Sequence, residues 1–192
     1  MVETAPLAPS PVSSSPVSIA RHGAIAVVTI ASPPVNALSR PVRQGLLDAA
    51  RMLAVDPTVT AVVLTGSAGR FVAGADLREM DRPPDAPFLP EVVAAIAAIA
   101  VPVIALLDGP ALGGGFEIAL ACDLRLASPR ASVGLTETRL GLVPGAGGTQ
   151  RITRLTGVAT AIPLVCEGRI VAASEAAILG LVDAVIDGDL VA

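Results

Sequence analysis

The sequence predicts an α/β protein with a mainly parallel β-sheet, and two observations support this prediction. Short runs of β-branched and small apolar residues end at turn residues, as buried strands do. Segments with apolar residues at helical spacing follow these runs. Strands that alternate with helices typically form a parallel sheet covered by helices. The chain has 192 residues, enough for one sizeable core, so we expect a single domain.

The two ends of the predicted domain differ from its centre. The N-terminal segment is rich in Pro and Ser, so we predict a disordered tail over residues 1–19 and a core domain over residues 20–192. The tail lacks a basic stretch followed by an apolar run, unlike a secretory signal. The longest apolar run, residues 92–107, contains Pro102 and is shorter than the roughly 20 residues of a membrane span. We therefore expect no membrane span.

The first half of the chain predicts a strand, a helix and a second strand. Residues 24–30 (AIAVVTI) predict a buried strand that ends at the turn ASPP. We assign Ser39 as the N-cap of a helix with Pro41 in its first turn and a stop at Asp56 and Pro57. Residues 60–66 (TAVVLTG) predict a strand, followed by a glycine-containing loop whose last residues are helical.

The second half continues this alternation. The four prolines within residues 81–90 exclude regular structure there. A helix near residues 91–100 and a strand that begins at VPVIALLDG follow, and then a glycine loop leads into a short helix that ends near Cys122. Residues 123–128 predict another strand. The remaining sequence predicts two helices, a stop at Gly180 and a final strand.

Composition excludes several classes of partner. The net charge is −4, the chain has no Lys and aromatic residues make up 2%, so we expect no nucleic-acid partner. Hydrophobic residues make up 53%, which favours a homo-oligomer. Cys122 and Cys166 have no metal-ligand spacing, and we predict free, buried thiols in a reducing compartment, in line with a cytoplasmic protein. We assign no role to the single histidine, His22.

Two glycine-containing loops share one plan, in which a strand is followed by exposed backbone amides and then by a helix. They are residues 71–77 (FVAGADL) and residues 111–117 (ALGGGFE). Glycine allows a backbone to approach a ligand closely, and the first amides of a helix have no partner within it. Both loops are therefore candidates to donate hydrogen bonds to an anion.

Several kinds of site do not fit these loops. A phosphate-binding P-loop needs a Lys, and the dinucleotide fingerprint lacks its third Gly or Ala because Ile118 stands there. The nucleophile motif G-x-S-x-G and clusters of metal-binding His or Cys are absent from the sequence. The remaining candidates are two carboxylates, Glu117 and Glu137. Taken alone, Glu117 is better explained as an acidic residue favoured by the dipole of a helix N-terminus, and Glu137 as a surface loop residue. Together with the glycine-rich residues 140–151, they could line one pocket.

Several long motifs resemble the enoyl-CoA hydratase/isomerase (crotonase) family, and they match from about residue 24 to residue 187. These motifs are PPVNALS, FVAGADLREM, GPALGGGFEIALACDLRLAS, SVGLTETRLGLVPGAGGTQR and AASEAAILGLVDAVID. The amino-acid sequences of these motifs are most similar to the hydratase/isomerase portion of multifunctional β-oxidation enzymes. The resemblance implies the crotonase (ClpP/crotonase-like) fold, in which repeated ββα units form a mainly parallel sheet spiral. The family's C-terminal helical region is expected to be shortened or absent.

The resemblance also implies an activity and a set of site residues. The activity is that of an enoyl-CoA hydratase, which adds water across the C2=C3 double bond of 2-enoyl-CoA thioesters in fatty-acid β-oxidation. The implied catalytic residues are Glu117 and Glu137, with the backbone amides of Ala75 and Gly114 as an oxyanion hole. The positions implied to bind the acyl-CoA substrate are Ala37, Ala73, Gly74, Asp76, Leu77, Gly113, Pro144 and Gly145. No cofactor is implied, because coenzyme A is part of the substrate, and the expected assembly is a trimer or a dimer of trimers.

Two alternatives stay open at this point. The same fold supports a Δ3-Δ2-enoyl-CoA isomerase, and a chain without the C-terminal helices could be a non-catalytic acyl-CoA-binding or assembly subunit. A partner that supplies the missing cover, or a larger enzyme of which the chain is part, would also explain the shortened end. Two features depart from the family: Phe116 stands at a position that is often small and is expected to tighten the pocket, while Arg78 and Arg82 replace a Lys near the CoA phosphates or are solvated surface charges.

Overall fold

The computed structural model of the chain describes residues 15–188 and contains two β-sheets surrounded by helices. The strands are β1 (Val17–His22), β2 (Ile25–Ile30), β3 (Ala61–Gly66), β4 (Val103–Leu107), β5 (Pro110–Leu112), β6 (Leu124–Ala127), β7 (Ser132–Gly134), β8 (Val171–Ala172) and β9 (Ala184–Val185). The helices are α1 (Arg40–Ala54), α2 (Leu89–Ala97), α3 (Gly114–Ala121), α4 (Gly148–Thr156), α5 (Val158–Cys166) and α6 (Ala173–Ile178). Short 3-10 turns lie at Leu77–Glu79 and Glu137–Leu140.

The larger sheet has six strands in the order β1-β2-β3-β4-β6-β9. β1 pairs with β2 in antiparallel orientation, and every other neighbouring pair in this sheet is parallel. A parallel pair needs a crossover connection, which α1 supplies between β2 and β3 and α2 between β3 and β4. The predicted mainly parallel α/β architecture is confirmed.

The short strands of the smaller sheet are the second strands of a repeated ββα unit. It has three strands in the order β5-β7-β8. β4, β5 and α3 form one unit, in which a strand of the large sheet is followed by a short strand of the small sheet and then by a helix; β6, β7 and α4 form the next. Earlier in the chain the short strand is reduced to single parallel bridges, between Leu38 and Ala75 and between Val72 and Ala111. The predicted ββα repeat is therefore present.

The N-terminal boundary of the domain needed correction. We predicted a disordered tail through residue 19, but β1 begins at Val17, which pairs with Ile30 and is buried. Ile19 pairs with Val28 two positions further on. The alternation of apolar and polar residues in β1 lets one of its faces pack on the core while its other face stays exposed. The prediction for residues 1–14 lies outside the described residues.

Two further expectations differ from the structure. Regular structure was excluded over residues 81–90, but α2 begins at Leu89, with Pro90 in its first turn, where a missing amide proton removes no helical hydrogen bond. Cys122 is buried and burial raises the pKa of its thiol to about 12, whereas Cys166 is exposed on the last residue of α5. The two thiols are free, as predicted, but only one of them is buried.

None of the helices in the described part of the chain combines the length and the apolar character that crossing a bilayer requires. The helices instead cover the sheets and enclose a continuous apolar core. Its fully buried large side chains include Phe71, Phe116 and Ile118. The consequence for the site is that α3, which carries Glu117, lies entirely within the protein from Gly114 to Leu120.

Candidate active site

A cavity of about 750 Å³ lies where the two glycine-containing loops meet. Both predicted carboxylates, Glu117 and Glu137, contribute to its wall. The other predicted site residues that line it are Ala37, Ala73, Gly74, Ala75, Asp76, Leu77, Gly113, Gly114 and Gly145. Pro144 is the exception among our predicted residues, because it is buried beside the cavity and is not part of the lining.

The first loop is held by main-chain contacts. Gly74 has a φ of +106°, a region that L-residues rarely occupy, and its carbonyl accepts a hydrogen bond of 2.8 Å from the Leu38 amide. A Cβ on Gly74 would lie 3.1 Å from the Leu112 carbonyl oxygen, so this loop runs close to the second one. Among the hydrogen bonds within residues 15–188, none uses the amide of Ala75 as its donor.

The second loop begins with a backbone conformation that residues other than glycine rarely adopt. Gly113 has a φ of +52° and a ψ of −126°, and its amide donates a 2.8 Å hydrogen bond to the Gly134 carbonyl. The chain then turns directly into α3, whose first amide belongs to Gly114. That amide also donates no hydrogen bond within the described residues. The cavity wall therefore contains two residues, one from each loop, whose amides are available to a ligand.

Gly114 is constrained by packing as well. A Cβ at this position would lie 2.6 Å from Leu89 Cδ2 and 3.0 Å from Leu38 Cδ1, closer than carbon atoms approach in folded proteins. Leu89 belongs to α2 and also lines the cavity. A side chain at Gly114 would thus displace an apolar part of the cavity wall.

Glu117 is 2% exposed and is held by the segment that precedes α4. Its Oε1 accepts hydrogen bonds of 2.8 Å from the amides of both Ala146 and Gly148. Oε2 accepts none from the described residues. Burial raises the pKa of Glu117 above its usual value, while the two amides and the positive charge of Arg151 act in the opposite direction.

Glu137 has a different environment. It begins a 3-10 turn, and its Oε2 is buried without a hydrogen-bond partner in the described structure. Burial raises the pKa of this carboxyl to about 7; the negative charge of Glu117 contributes in the same direction, and a backbone hydrogen bond opposes both. Oε1 would lie 3.5 Å from a Cβ at Gly113, so the second carboxyl stands next to the glycine loop that leads to the first.

The structure overturns one expectation for neighbouring side chains, that for Phe116, and gives the surroundings of Arg78 and Arg82. Phe116 is fully buried in the core and is not part of the cavity lining, so it does not tighten the pocket as we expected. Arg78 lines the cavity and forms an ion pair of 2.8 Å with the buried carboxylate of Asp76, in the same loop. Arg82 lies on a neighbouring cavity of about 470 Å³ and not on this one.

Sequence reasoning missed two groups of site residues. The first consists of apolar wall residues from other segments, namely Leu89, Leu140 and Leu142. The second is the pair of amides at Ala146 and Gly148 that hold Glu117. A signal for the second group was visible as the glycine-rich sequence PGAGG, but a glycine pattern does not tell which carboxylate its amides bind.

Comparisons with known proteins agree with this geometry. The family model described as enoyl-CoA hydratase/isomerase matches residues 20–192. The peroxisomal bifunctional enzyme of Danio rerio is 48% identical over 161 residues, which are 84% of this chain and 22% of that protein. The probable enoyl-CoA hydratase of Mycobacterium leprae is 40% identical over 171 residues, 86% of this chain and 66% of that protein.

A solved structure gives the same result at the level of the fold. The crystal structure of enoyl-CoA hydratase from Bacillus anthracis superposes with a TM-score of 0.85 at 36% identity, and the match covers 89% of this chain and 70% of that one. The chain spans less than a quarter of the bifunctional relative and about two thirds of the mycobacterial one. With its fold, its two glycine loops and its family-model match in agreement, the chain belongs to the enoyl-CoA hydratase/isomerase family.

Proposed function

We propose that this protein hydrates 2-enoyl-CoA thioesters, with Glu117 and Glu137 as its catalytic pair. One observation carries the proposal: two carboxyl groups with different hydrogen-bond partners line the same cavity as two residues whose amides are unused. Hydration needs a base that activates water and an acid that protonates carbon. Two carboxyl groups whose environments differ can divide these tasks.

The amides of Ala75 and Gly114 are proposed to form the oxyanion hole. When water adds to C3, negative charge develops on the thioester carbonyl oxygen, and preorganised amides stabilise that charge. Removing one such donor costs about 3 kcal/mol in other enzymes. The conformation of each loop supports this role, because Gly74 precedes the first amide and Gly113 the second, both at a positive φ.

We propose that Glu117 is the base and Glu137 the acid. The Glu117 carboxylate accepts two amide hydrogen bonds that favour its ionised form, which suits a group that takes a proton from water. Glu137 has a pKa of about 7 and an oxygen without a partner, which suits a group that holds a proton for C2. Water then loses its proton to Glu117 as its oxygen bonds to C3, and C2 receives the proton of Glu137. The proposed reaction needs no cofactor.

The relatives support a role in fatty-acid β-oxidation. A protein of Arabidopsis thaliana, 39% identical over 170 residues, is named a peroxisomal fatty acid beta-oxidation multifunctional protein. The names of these relatives place some of them in peroxisomes, so our expectation of a cytoplasmic protein stays a prediction. We retain the proposal of a homo-oligomer, trimer or dimer of trimers, because large apolar side chains such as Val143, Val158 and Ile178 are exposed.

The test is hydration of crotonyl-CoA by the purified protein, followed by the loss of absorbance of the conjugated thioester. We expect Glu117→Gln and Glu137→Gln each to lower kcat by about a hundredfold or more. Glu167→Gln is the matched control, because Glu167 is an exposed glutamate at the end of α5, away from the cavity lining. Normal turnover by the double variant Glu117→Gln/Glu137→Gln would rule out the proposed pair.

The same preparation separates the two alternatives. An isomerase uses the same carboxyl groups to move a proton between C2 and C4, so it converts a 3-enoyl-CoA much faster than it hydrates a 2-enoyl-CoA. A non-catalytic subunit binds an acyl-CoA tightly and turns over neither substrate. Measuring the oligomeric state of the sample at the same time shows whether activity depends on assembly.

A further inference from the structure

Two consecutive glycines, Gly147 and Gly148, separate a buried acid from a nearby cation. A Cβ on Gly148 would lie 2.9 Å from Oε1 and 2.9 Å from Cγ of Glu117. A Cβ on Gly147 would overlap Nη1 of Arg151, and Gly147 also has a φ of +93°. One glycine thus makes room for the carboxylate and the other makes room for the guanidinium group.

Two hydrogen bonds connect the guanidinium group of Arg151 to Glu117 through the backbone of one residue, Ala146. Arg151 Nη1 donates a 3.0 Å hydrogen bond to the carbonyl of Ala146, and the amide of Ala146 donates a 2.8 Å hydrogen bond to Glu117 Oε1. The Arg151 amide also bonds to the Gly147 carbonyl at 3.1 Å, in the first turn of α4. The side chain of Arg151 therefore folds back over the start of its own helix.

We infer that Arg151 is a positioning residue for the proposed base, Glu117: its guanidinium group fixes the Ala146 carbonyl, and thereby the Ala146 amide that binds the carboxylate. The description of Glu117 as a base rests on the proposed function. The effect of Arg151 on Glu117 rests only on the contacts described above, so the proposed function and this inference can fail separately.

The other charged groups around Glu117 do not provide an alternative cation. Arg78, in the wall of the same cavity, is paired with Asp76 at 2.8 Å. Glu137, on the 3-10 turn, is itself acidic, and the negative charge of Glu117 raises its pKa. On α4, the second arginine, Arg154, is exposed one turn further along the helix. On α2, the charged residue is Glu91, whose carboxylate accepts a hydrogen bond from the Phe88 amide at the helix start. Arg151 is the cation that lowers the pKa of Glu117 against the effect of burial.

The test is a direct titration of the Glu117 carboxyl by 13C NMR, on protein with 13C-labelled glutamate side chains. The signal is assigned by its absence in Glu117→Gln. We expect Arg151→Gln to raise the titration midpoint of Glu117 by about 0.5 pH unit, less than for a direct ion pair, because the variant loses a positive charge that acts on Glu117 together with the hydrogen bond to the Ala146 carbonyl. Arg154→Gln removes the same charge from the same helix and is expected to leave the midpoint unchanged.

Two outcomes would overturn the inference. One is a midpoint that does not move in Arg151→Gln, and the other is an equal shift in Arg151→Gln and Arg154→Gln. If Arg151→Gln does not fold, Arg151→Lys decides: it keeps the charge but not the planar donor, so we expect the Ala146 amide to exchange with D2O about tenfold faster. Unchanged exchange in that variant contradicts the positioning role.

The titration does not depend on turnover, so it separates this inference from the proposed function. If the protein does not hydrate crotonyl-CoA but the midpoint moves as expected, the proposed function fails and the role of Arg151 toward Glu117 stands. If hydration is observed and the midpoint does not move, only the inference about Arg151 fails. In an active enzyme, Arg151→Gln is also expected to shift the acidic limb of the pH–rate profile upward, whereas a purely structural defect lowers the rate at all pH values.

Discussion

Glu137 illustrates, at the scale of one residue, a group whose environment favours reactivity over stability. Its carboxyl is removed from water, has one buried oxygen without a partner, and faces another acid. Burial raises the pKa of Glu137 to about 7, so near neutral pH the folded protein holds a proton that the unfolded chain releases. Ionising this group therefore destabilises the folded state.

This linkage predicts the effect of Glu137→Gln on stability. Because the folded state binds the extra proton, the stability of the wild-type protein falls as pH rises from the ordinary glutamate pKa, near 4.5, to about 7. Glu137→Gln removes the titrating group, so we expect it to be more stable than the wild type at pH 8, with a gain that shrinks toward pH 5. Urea unfolding at both pH values measures this, with Glu167→Gln as the control. A variant less stable than the wild type at pH 8 would contradict the assigned environment.

The same two residues predict a bell-shaped dependence of activity on pH. Activity should rise with pH as Glu117 ionises and fall as pH passes about 7, where Glu137 loses the proton that C2 needs. The measurement is kcat/KM for crotonyl-CoA between pH 5 and 9, which reports groups of the free enzyme. A rate that stays constant from pH 6 to 9 would show that Glu137 is not the acid.

At the scale of the elements, the position of α3 depends on close approach to the first glycine-containing loop. A Cβ on Gly115 would overlap the carbonyl oxygen of Val72 and would lie 2.8 Å from the Val72 Cβ. Val72 in turn bridges to Ala111, directly before the second loop. The absence of a side chain at Gly115 therefore sets how near the Glu117 helix lies to the other half of the site.

We expect Gly115→Ala to destabilise the protein by about 3 kcal/mol or more. Alanine normally stabilises a helix interior relative to glycine by roughly 1 kcal/mol. A lower free energy of unfolding in Gly115→Ala would therefore be opposite to the usual effect and would result from the clash with the Val72 backbone. Chemical denaturation measures the difference. Gly145→Ala is a suitable comparison, because the nearest atom to its Cβ would be the Val143 carbonyl oxygen at 3.9 Å. Equal stability of the two alanine variants would refute the packing argument.

The elements also differ in how well the sequence predicted them. β2, β3 and α1 were predicted to within a few residues, because each carries a long apolar pattern with clear stop signals. β5 and β7 have three residues each, too short for a pattern, and they exist because parallel pairing between loops satisfies their backbones. α5 was missed because Pro163 lies inside it, a residue that usually ends a helix.

At the scale of the whole molecule, one ion pair connects β6 of the large sheet to the residue that precedes the edge strand β9. The Arg125 side chain, on β6, is 5% exposed and bonds to Asp183 Oδ2 at 2.8 Å. Its Nη1 donates to the Cys122 carbonyl, whereas its Nε is buried without a partner in the described residues. The Asp183 carboxylate also accepts the Arg125 amide at 2.7 Å, next to the pairing of β6 with β9.

Breaking this pair is expected to weaken the entire fold. Asp183→Asn leaves the buried guanidinium without its countercharge; because the Asp183 side chain is 37% exposed, we expect a loss of about 1–2 kcal/mol, less than for a fully buried pair. Unfolding by guanidinium chloride measures the loss, with Asp187→Asn as the control because Asp187 is exposed in the same segment. A difference below about 0.5 kcal/mol would show that solvent at Asp183 already screens the interaction.

The assembly of the site from distant segments explains what sequence reasoning could and could not predict. Glu117 and Glu137 were identified because the family resemblance supplied their pairing, which spacing alone did not. The backbone of Ala146, the apolar wall at Leu89 and the position of Arg151 depend on how α2 and α4 pack on α3. No local pattern encodes such contacts, so they became visible only in the folded chain.

The wall of the cavity is contributed by five stretches of chain, residues 32–37, 73–80, 89–90, 113–117 and 136–146, spread over more than half of the polypeptide. Strands of the sheets separate most of these stretches: β3 lies between the first and the second, β4 and β5 between the third and the fourth, and β6 and β7 between the last two. Contacts between residues so far apart in sequence form late and slowly, because the entropy of closing long loops must be overcome first. During refolding, recovery of turnover should therefore lag behind recovery of helical structure. The rate at which enzymatic activity returns would then report the rate of the last step of folding.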